Sequence, residues 1–174
     1  HASLYDGIAL AGSKLKPFRF RHNDCAHLEK LLQRFNDSRK PGAQIFVAIE
    51  GVYSMDGDLP PLPEITKLCT QYNAYLMVDD AHGTGVMGTH GGGIADHFGL
   101  DGKIDIHMGT FSKSFGVTGG FIVARKEIID YMRFFARSYM FSAHLPPTTA
   151  AAVLAGLDVI ENEPERMARL QSNA

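Results

Sequence analysis

Three short apolar runs set the limits on what this chain can fold into. Ile45-Phe-Val-Ala-Ile49, Ala74-Tyr-Leu-Met-Val78 and Ile104-Asp-Ile-His-Met108 each have strand length, and each runs into a loop of polar and small residues. Runs this short and this apolar read as strands covered on both faces, the pattern of a parallel sheet. Helical spacing fills the gaps between them. Leu28, Leu31, Leu32 and Phe35 follow His22-Asn-Asp24, which supplies an N-cap; Ile65, Leu68, Cys69 and Tyr72 follow Pro60, Pro61 and Pro63. Gly119-Gly-Phe-Ile-Val-Ala124 reads as a fourth strand. Strands that alternate with helices argue an α/β domain, its sheet mostly parallel and helices on both faces.

The rest of the chain adds shorter signals. Ile8–Ala11 is helix-like and Phe18–Phe20 reads as a short strand. Ile94–Phe98 reads as one helical turn. Arg125–Tyr139 is helical in pattern, Ser142–Pro147 breaks it, and Thr148–Ile160 is a long helix with a charged end. A length of 174 residues fits one domain. The chain begins with His1, which leads us to expect a piece of a longer protein. A net charge of -2 gives no reason to expect a nucleic-acid partner. No apolar run approaches the ~20 residues of a membrane span. Cys25 and Cys69 fit no metal spacing and are expected to be buried thiols in a reducing, cytoplasmic setting. No metal site is expected, since His22, His27, His90, His97 and His107 lack helical i, i+4 pairing and nearby cysteines.

Ligands in open α/β sheets bind beyond the carboxyl ends of the strands. Ser54, the pair Asp79 and His82, and Lys113 all fall at such ends. Lys113 sits in Gly109-Thr-Phe-Ser-Lys-Ser-Phe-Gly116, a glycine-flanked loop between two strands, with Thr110, Ser112 and Ser114 around it. An amine held there is either a phosphate anchor or a nucleophile. Gly83-Thr-Gly85-Val-Met-Gly88 also matches the letters of a dinucleotide fingerprint, which would make the protein a nicotinamide-dependent oxidoreductase. Against that, Asp79–His82 separate strand from glycines, and Thr89-His-Gly-Gly-Gly93 is a poor start for a helix that holds a pyrophosphate.

Val78-Asp-Asp-Ala-His-Gly-Thr-Gly85 and Gly109–Gly116 resemble the two signature blocks of the α-oxoamine synthases, pyridoxal-phosphate enzymes of fold type I. That family includes 8-amino-7-oxononanoate synthase, 2-amino-3-ketobutyrate CoA ligase, 5-aminolevulinate synthase and serine palmitoyltransferase. His1-Ala-Ser, Arg21–Asp24, Glu50–Asp58 and Leu145–Pro147 resemble further family blocks, in the same order. The resemblance implies the central part of a cofactor-binding large domain over residues 1–174, without its N-terminal segment and C-terminal small domain. It implies pyridoxal 5'-phosphate as cofactor, with Lys113 bonded to its aldehyde. Asp79 takes the place of the acid at the pyridine nitrogen, and is expected to matter more than Asp80. His82 takes that of the histidine at the phenolic oxygen, with Ser54 nearby. His1 stacks on the ring, Thr110 contacts the phosphate, and Ser142 reaches the phosphate of a neighbouring subunit in a homodimer. The implied reaction condenses an amino acid with an acyl-CoA, usually with loss of carbon dioxide; a non-catalytic subunit of such a synthase is the other reading the resemblance allows. One departure is His144, where family members usually carry serine two residues before Pro-Pro.

Overall fold

The computed structural model describes residues 1–12 and 15–173. The elements run α1 (Ala2–Ala11), α2 (Cys25–Ser38), β1 (Phe46–Glu50), α3 (Leu62–Gln71), β2 (Tyr75–Asp79), α4 (Ile94–Phe98), β3 (Ile106–Thr110), β4 (Gly120–Ala124), α5 (Lys126–Phe135), α6 (Arg137–Met140), α7 (Pro147–Asn162) and α8 (Pro164–Asn173). The strands form one sheet in the order β1-β2-β3-β4. The first three are parallel and β4 is antiparallel to β3. The α/β class and the mostly parallel sheet are as the sequence predicts.

Local chemistry explains the elements. Asp24 caps α2, its Oδ1 accepting the His27 N–H at 2.8 Å, and Cys25, Leu28 and Leu32 form the buried stripe. Pro61 precedes α3, which buries Leu62, Ile65, Leu68 and Cys69. These two stripes meet Val47 and Ile49 of β1, Leu76 and Val78 of β2, and Ile94 of α4 in a single core. Ile65, Leu62 and Val78 are fully enclosed. Each such side chain contributes roughly 1.5–3 kcal/mol relative to exposure.

That core lies on one face of the sheet. The other face, with Phe46, Ala48, Tyr75 and Met77, is covered much less by the described residues, and Phe46 is 54% exposed.

Three boundaries differ from the sequence reading. Phe18–Phe20 form no strand; Phe18 instead packs on Phe35 of α2, ring centroids 4.5 Å apart. The parallel strands run on past their apolar runs to Glu50, Asp79 and Thr110. Ladder bonds are made by the backbone, so a polar side chain at a strand's end does not terminate pairing. The helical stretch after β4 is broken at Ala136, whose extended backbone (φ −75, ψ 101) separates α5 from α6.

Candidate active site

The carboxyl ends of β1, β2 and β3 are locked side by side. Gly51 N–H donates to Asp79 O at 2.8 Å, and Asp80 N–H donates to Met108 O at 2.9 Å. Glu50, Asp79 and Met108 share one register line. Side chains alternate across a strand, so Asp79 emerges on the sparsely covered face with Tyr75 and Met77. Asp80 turns to the core face with Val78 and His107. The two adjacent acids therefore have different surroundings.

Asp79 is 5% exposed. Its Oδ1 accepts the Ala81 N–H at 3.2 Å, and no described cation pairs with it. A buried carboxylate with so little compensation calls for a cationic or proton-bearing partner. His82 follows in the turn, half-buried. Ser54 lies exposed in the loop after β1. The backbone nitrogen of His1 sits 2.5 Å from Glu50 Oε1, which brings α1 to the same edge. The His1 ring is engaged locally, Nδ1 accepting the Ser3 N–H at 3.3 Å.

Lys113 projects from the hairpin loop between β3 and β4. It is exposed and pairs with no described acid. The loop beneath it is well anchored. Phe111 N–H donates to Gly119 O and Val117 N–H to Phe111 O, both at 2.9 Å. Thr110 Oγ1 donates to Gly119 O at 3.1 Å and accepts the Ser112 N–H at 3.2 Å. Phe111 and Phe115 pack edge to face, and a Cβ on Gly156 of α7 would come within 2.8 Å of Phe115. Ser114 Oγ donates to Thr84 O at 2.7 Å, tying the lysine loop to the loop that follows His82.

The structure thus places Asp79, His82, Ser54, Thr110, Lys113 and the start of α1 at the carboxyl end of the sheet. Ser142 is not built into it. It is exposed, with no described hydrogen bond, on the segment before α7. That segment packs through Leu145, whose Cδ2 would meet a Cβ on Gly119 at 2.6 Å, and through His144, edge-on to Tyr139. Two grooves lie away from this edge, one beside Arg39 and Asn73 and one along Glu163 to Arg169.

The dinucleotide alternative fails on geometry. The amides from Gly83 to Met87, and that of Gly93, are consumed inside the loop's own turns: Gly83 and Thr84 donate to Asp80 O, Gly85 to Gly91 O, Val86 and Met87 to Gly83 O, and Gly93 to Met87 O. The next helix, α4, has five residues, and the Ile94 amide at its start is taken by Asp80 Oδ2 at 2.8 Å. The amides that a dinucleotide fingerprint would aim at a pyrophosphate, those from Gly83 to Met87 and that of Ile94, are already taken.

Asp96 organises this loop from below. Its Oδ2 accepts the His90 N–H at 2.7 Å and the Gly92 N–H at 3.2 Å, and Thr89 Oγ1 donates to Oδ1 at 3.3 Å. Burial pushes its carboxyl up, but these hydrogen bonds outweigh burial and hold it below the usual carboxylate value. The sequence reading named Asp80, Ser114 and His107 without these roles, and it did not single out Asp96. The signal for Asp80 was alternation itself, since two consecutive acids at a strand end must face opposite ways.

Residues 1–174 match the family described as aminotransferase class I and II. The chain belongs to that family. It is 49% identical over 174 residues to an 8-amino-7-oxononanoate synthase of Thermosipho melanesiensis, covering 100% of this chain and 43% of that protein. It is also 49% identical over 167 residues to a serine palmitoyltransferase of Bacteroides thetaiotaomicron, covering 96% of this chain and 41% of that protein. A solved SPT structure with the PLP internal aldimine superposes with a TM-score of 0.89 at 38% identity, over 100% of this chain and 42% of that one. The chain thus spans less than half the length of these family members. No helix among the described residues is long and apolar enough to cross a membrane.

Proposed function

We propose that the protein containing this chain is a pyridoxal-phosphate-dependent acyltransferase, joining an amino acid to an acyl-CoA with loss of coenzyme A and, usually, carbon dioxide. The observation that carries the proposal is Asp79. A buried carboxylate with few described partners at the end of β2 shares an edge with a lysine that pairs with no described acid, on an anchored hairpin. The names of the relatives, synthases and palmitoyltransferases, support the same class.

The residues fit the cofactor. Asp79 pairs with the pyridine nitrogen and keeps it protonated, which also answers the carboxylate's own need for a partner. His82 hydrogen-bonds the phenolic oxygen, with Ser54 beside it. His1 covers a ring face. Thr110 contacts the phosphate and Ser142 supplies a hydroxyl to a second subunit's site. Lys113 would hold the cofactor at its aldehyde carbon, and its Nζ would move the proton at the substrate's α-carbon. The bound cofactor supplies an electron sink for the pair left on that carbon. The site residues thus orient and exchange protons.

The chain is then part of the cofactor-binding large domain of a longer cytoplasmic polypeptide, working as a homodimer. Support for association comes from the exposed aromatics Phe134, Phe135 and Phe141, at 69%, 66% and 75%, a density of apolar surface that marks interfaces.

The test uses the full-length protein. Addition of pyridoxal phosphate should give a visible chromophore that borohydride fixes onto a Lys113 peptide. Coenzyme A release should follow from one pairing of alanine, glycine or serine with an acyl-CoA series. A Lys113→Ala protein that keeps the same reducible chromophore would sink the proposal.

A further inference from the structure

Asp80 is the most completely enclosed charged side chain among the described residues, at 0% exposure. Its Oδ2 accepts the Ile94 N–H at 2.8 Å and lies 3.0 Å from His107 Nε2. An ionised carboxylate can only accept, so the pair closes with His107 donating through Nε2 when Asp80 is ionised. Oδ1 has no partner. It is instead wedged against glycines: a Cβ built on Gly51 or Gly83 would lie 2.0 or 2.1 Å from it, and one on Gly93 would lie 1.9 Å from Oδ2. The Asp80 backbone adds further ties. Its carbonyl accepts from Gly83 N, Thr84 N and Thr84 Oγ1, and its N–H bonds β3.

One side chain therefore touches the exit of β1 at Gly51, the turn carrying His82, the end of the glycine loop, the start of α4, and β3 six residues before Lys113. Burying a carboxylate with one oxygen unsatisfied is costly. A hydrophobic residue would fill the same core position without that cost. It would hold none of these loops in place.

We infer that Asp80 and His107 form a positioning pair that fixes the Asp79–His82 turn, and with it the proposed cofactor-binding edge, without touching the cofactor. The inference rests on the proposed function for the identity of the ligand. Asp80→Asn keeps the shape but turns an amide NH₂ either toward the crowded glycines or toward the donors His107 and Ile94. His107→Leu removes the donor. His107→Gln restores an N–H at about the place of Nε2.

The full-length protein is titrated with pyridoxal phosphate, following the visible chromophore, and the cofactor-free protein is followed by amide hydrogen exchange over 51–58 and 81–94. Asp80→Asn and His107→Leu should weaken cofactor binding by about tenfold or more and speed exchange at Gly83, Thr84 and Ile94 by a similar factor. His107→Gln should recover most of both, which a merely space-filling role for the imidazole does not predict. Should Asp80→Asn fail to fold, the His107 variants decide. Binding and local exchange within about twofold of wild type in both His107 variants would overturn the inference while leaving the proposed function standing. Wild-type protein that develops no chromophore would overturn both. Equal losses in His107→Gln and His107→Leu would also overturn it, since the hydrogen bond would then be irrelevant.

Discussion

Replacing Asp96 by asparagine isolates the charge that organises the glycine loop. The side chain is 12% exposed and accepts two backbone N–H groups and one hydroxyl. Asparagine keeps the shape: its oxygen replaces Oδ2 and its NH₂ can donate to Thr89. What disappears is the charge assistance. Hydrogen bonds to charged groups contribute about 1 kcal/mol more than neutral ones, so two backbone bonds lose about 2 kcal/mol of local stability. That corresponds to about 30-fold faster opening, at 1.36 kcal/mol per decade. Amide exchange at His90 and Gly92 in the full-length protein reads it directly. The pH dependence supplies a second arm. The folded Asp96 carboxyl lies below its unfolded value of about 3.9, so its contribution is complete above that value and is lost as pH falls through the folded one. Wild type and Asp96→Asn should therefore converge in acid. Exchange rates that differ by less than about threefold at neutral pH, or that stay apart in acid, would refute the reasoning.

Other outcomes follow from burial and from the proposed site. Burial raises the thiols of Cys25 to about 11 and of Cys69 to about 12, so both should resist alkylation at pH 8 in the folded protein and react after denaturation. Ile65→Ala, at a fully enclosed position, should cost about 3–4 kcal/mol in denaturant unfolding. Asp79→Asn should cut turnover by at least about 10²-fold, near 3 kcal/mol of transition-state stabilisation; steady-state kinetics on purified full-length variant would show it.

The sheet was legible because its strands announce themselves as short apolar runs, and because glycine marks the turns between them. The placement of Asp79, His82 and Lys113 at or just beyond strand ends was legible for a related reason: strand ends in such a sheet converge on one edge. Ala136 was not, since a helix break made by one extended alanine leaves no glycine or proline to read. The glycine loop was legible as a loop but ambiguous in purpose. Its letters fit a nucleotide motif, and only the direction of its amides separates the two uses. Gly51 and Gly83 were the least legible, since the reason for them is Asp80 Oδ1, a contact between segments 29 residues apart in the case of Gly51. Ser142 stays exposed on the segment before α7 in the single chain.

The reversal of direction between β3 and β4 has a kinetic consequence. A parallel crossover would have needed a long excursion through a helix. The hairpin instead pins the lysine segment at both ends, through Thr110 paired with Gly120 and Phe111 bonded to Gly119. An amine on so short a double tether searches a small volume, and its effective concentration at the sheet edge is on the order of millimolar or higher. A small soluble amine added to the Lys113→Ala protein has to reach that concentration in bulk before it replaces what the tether supplies.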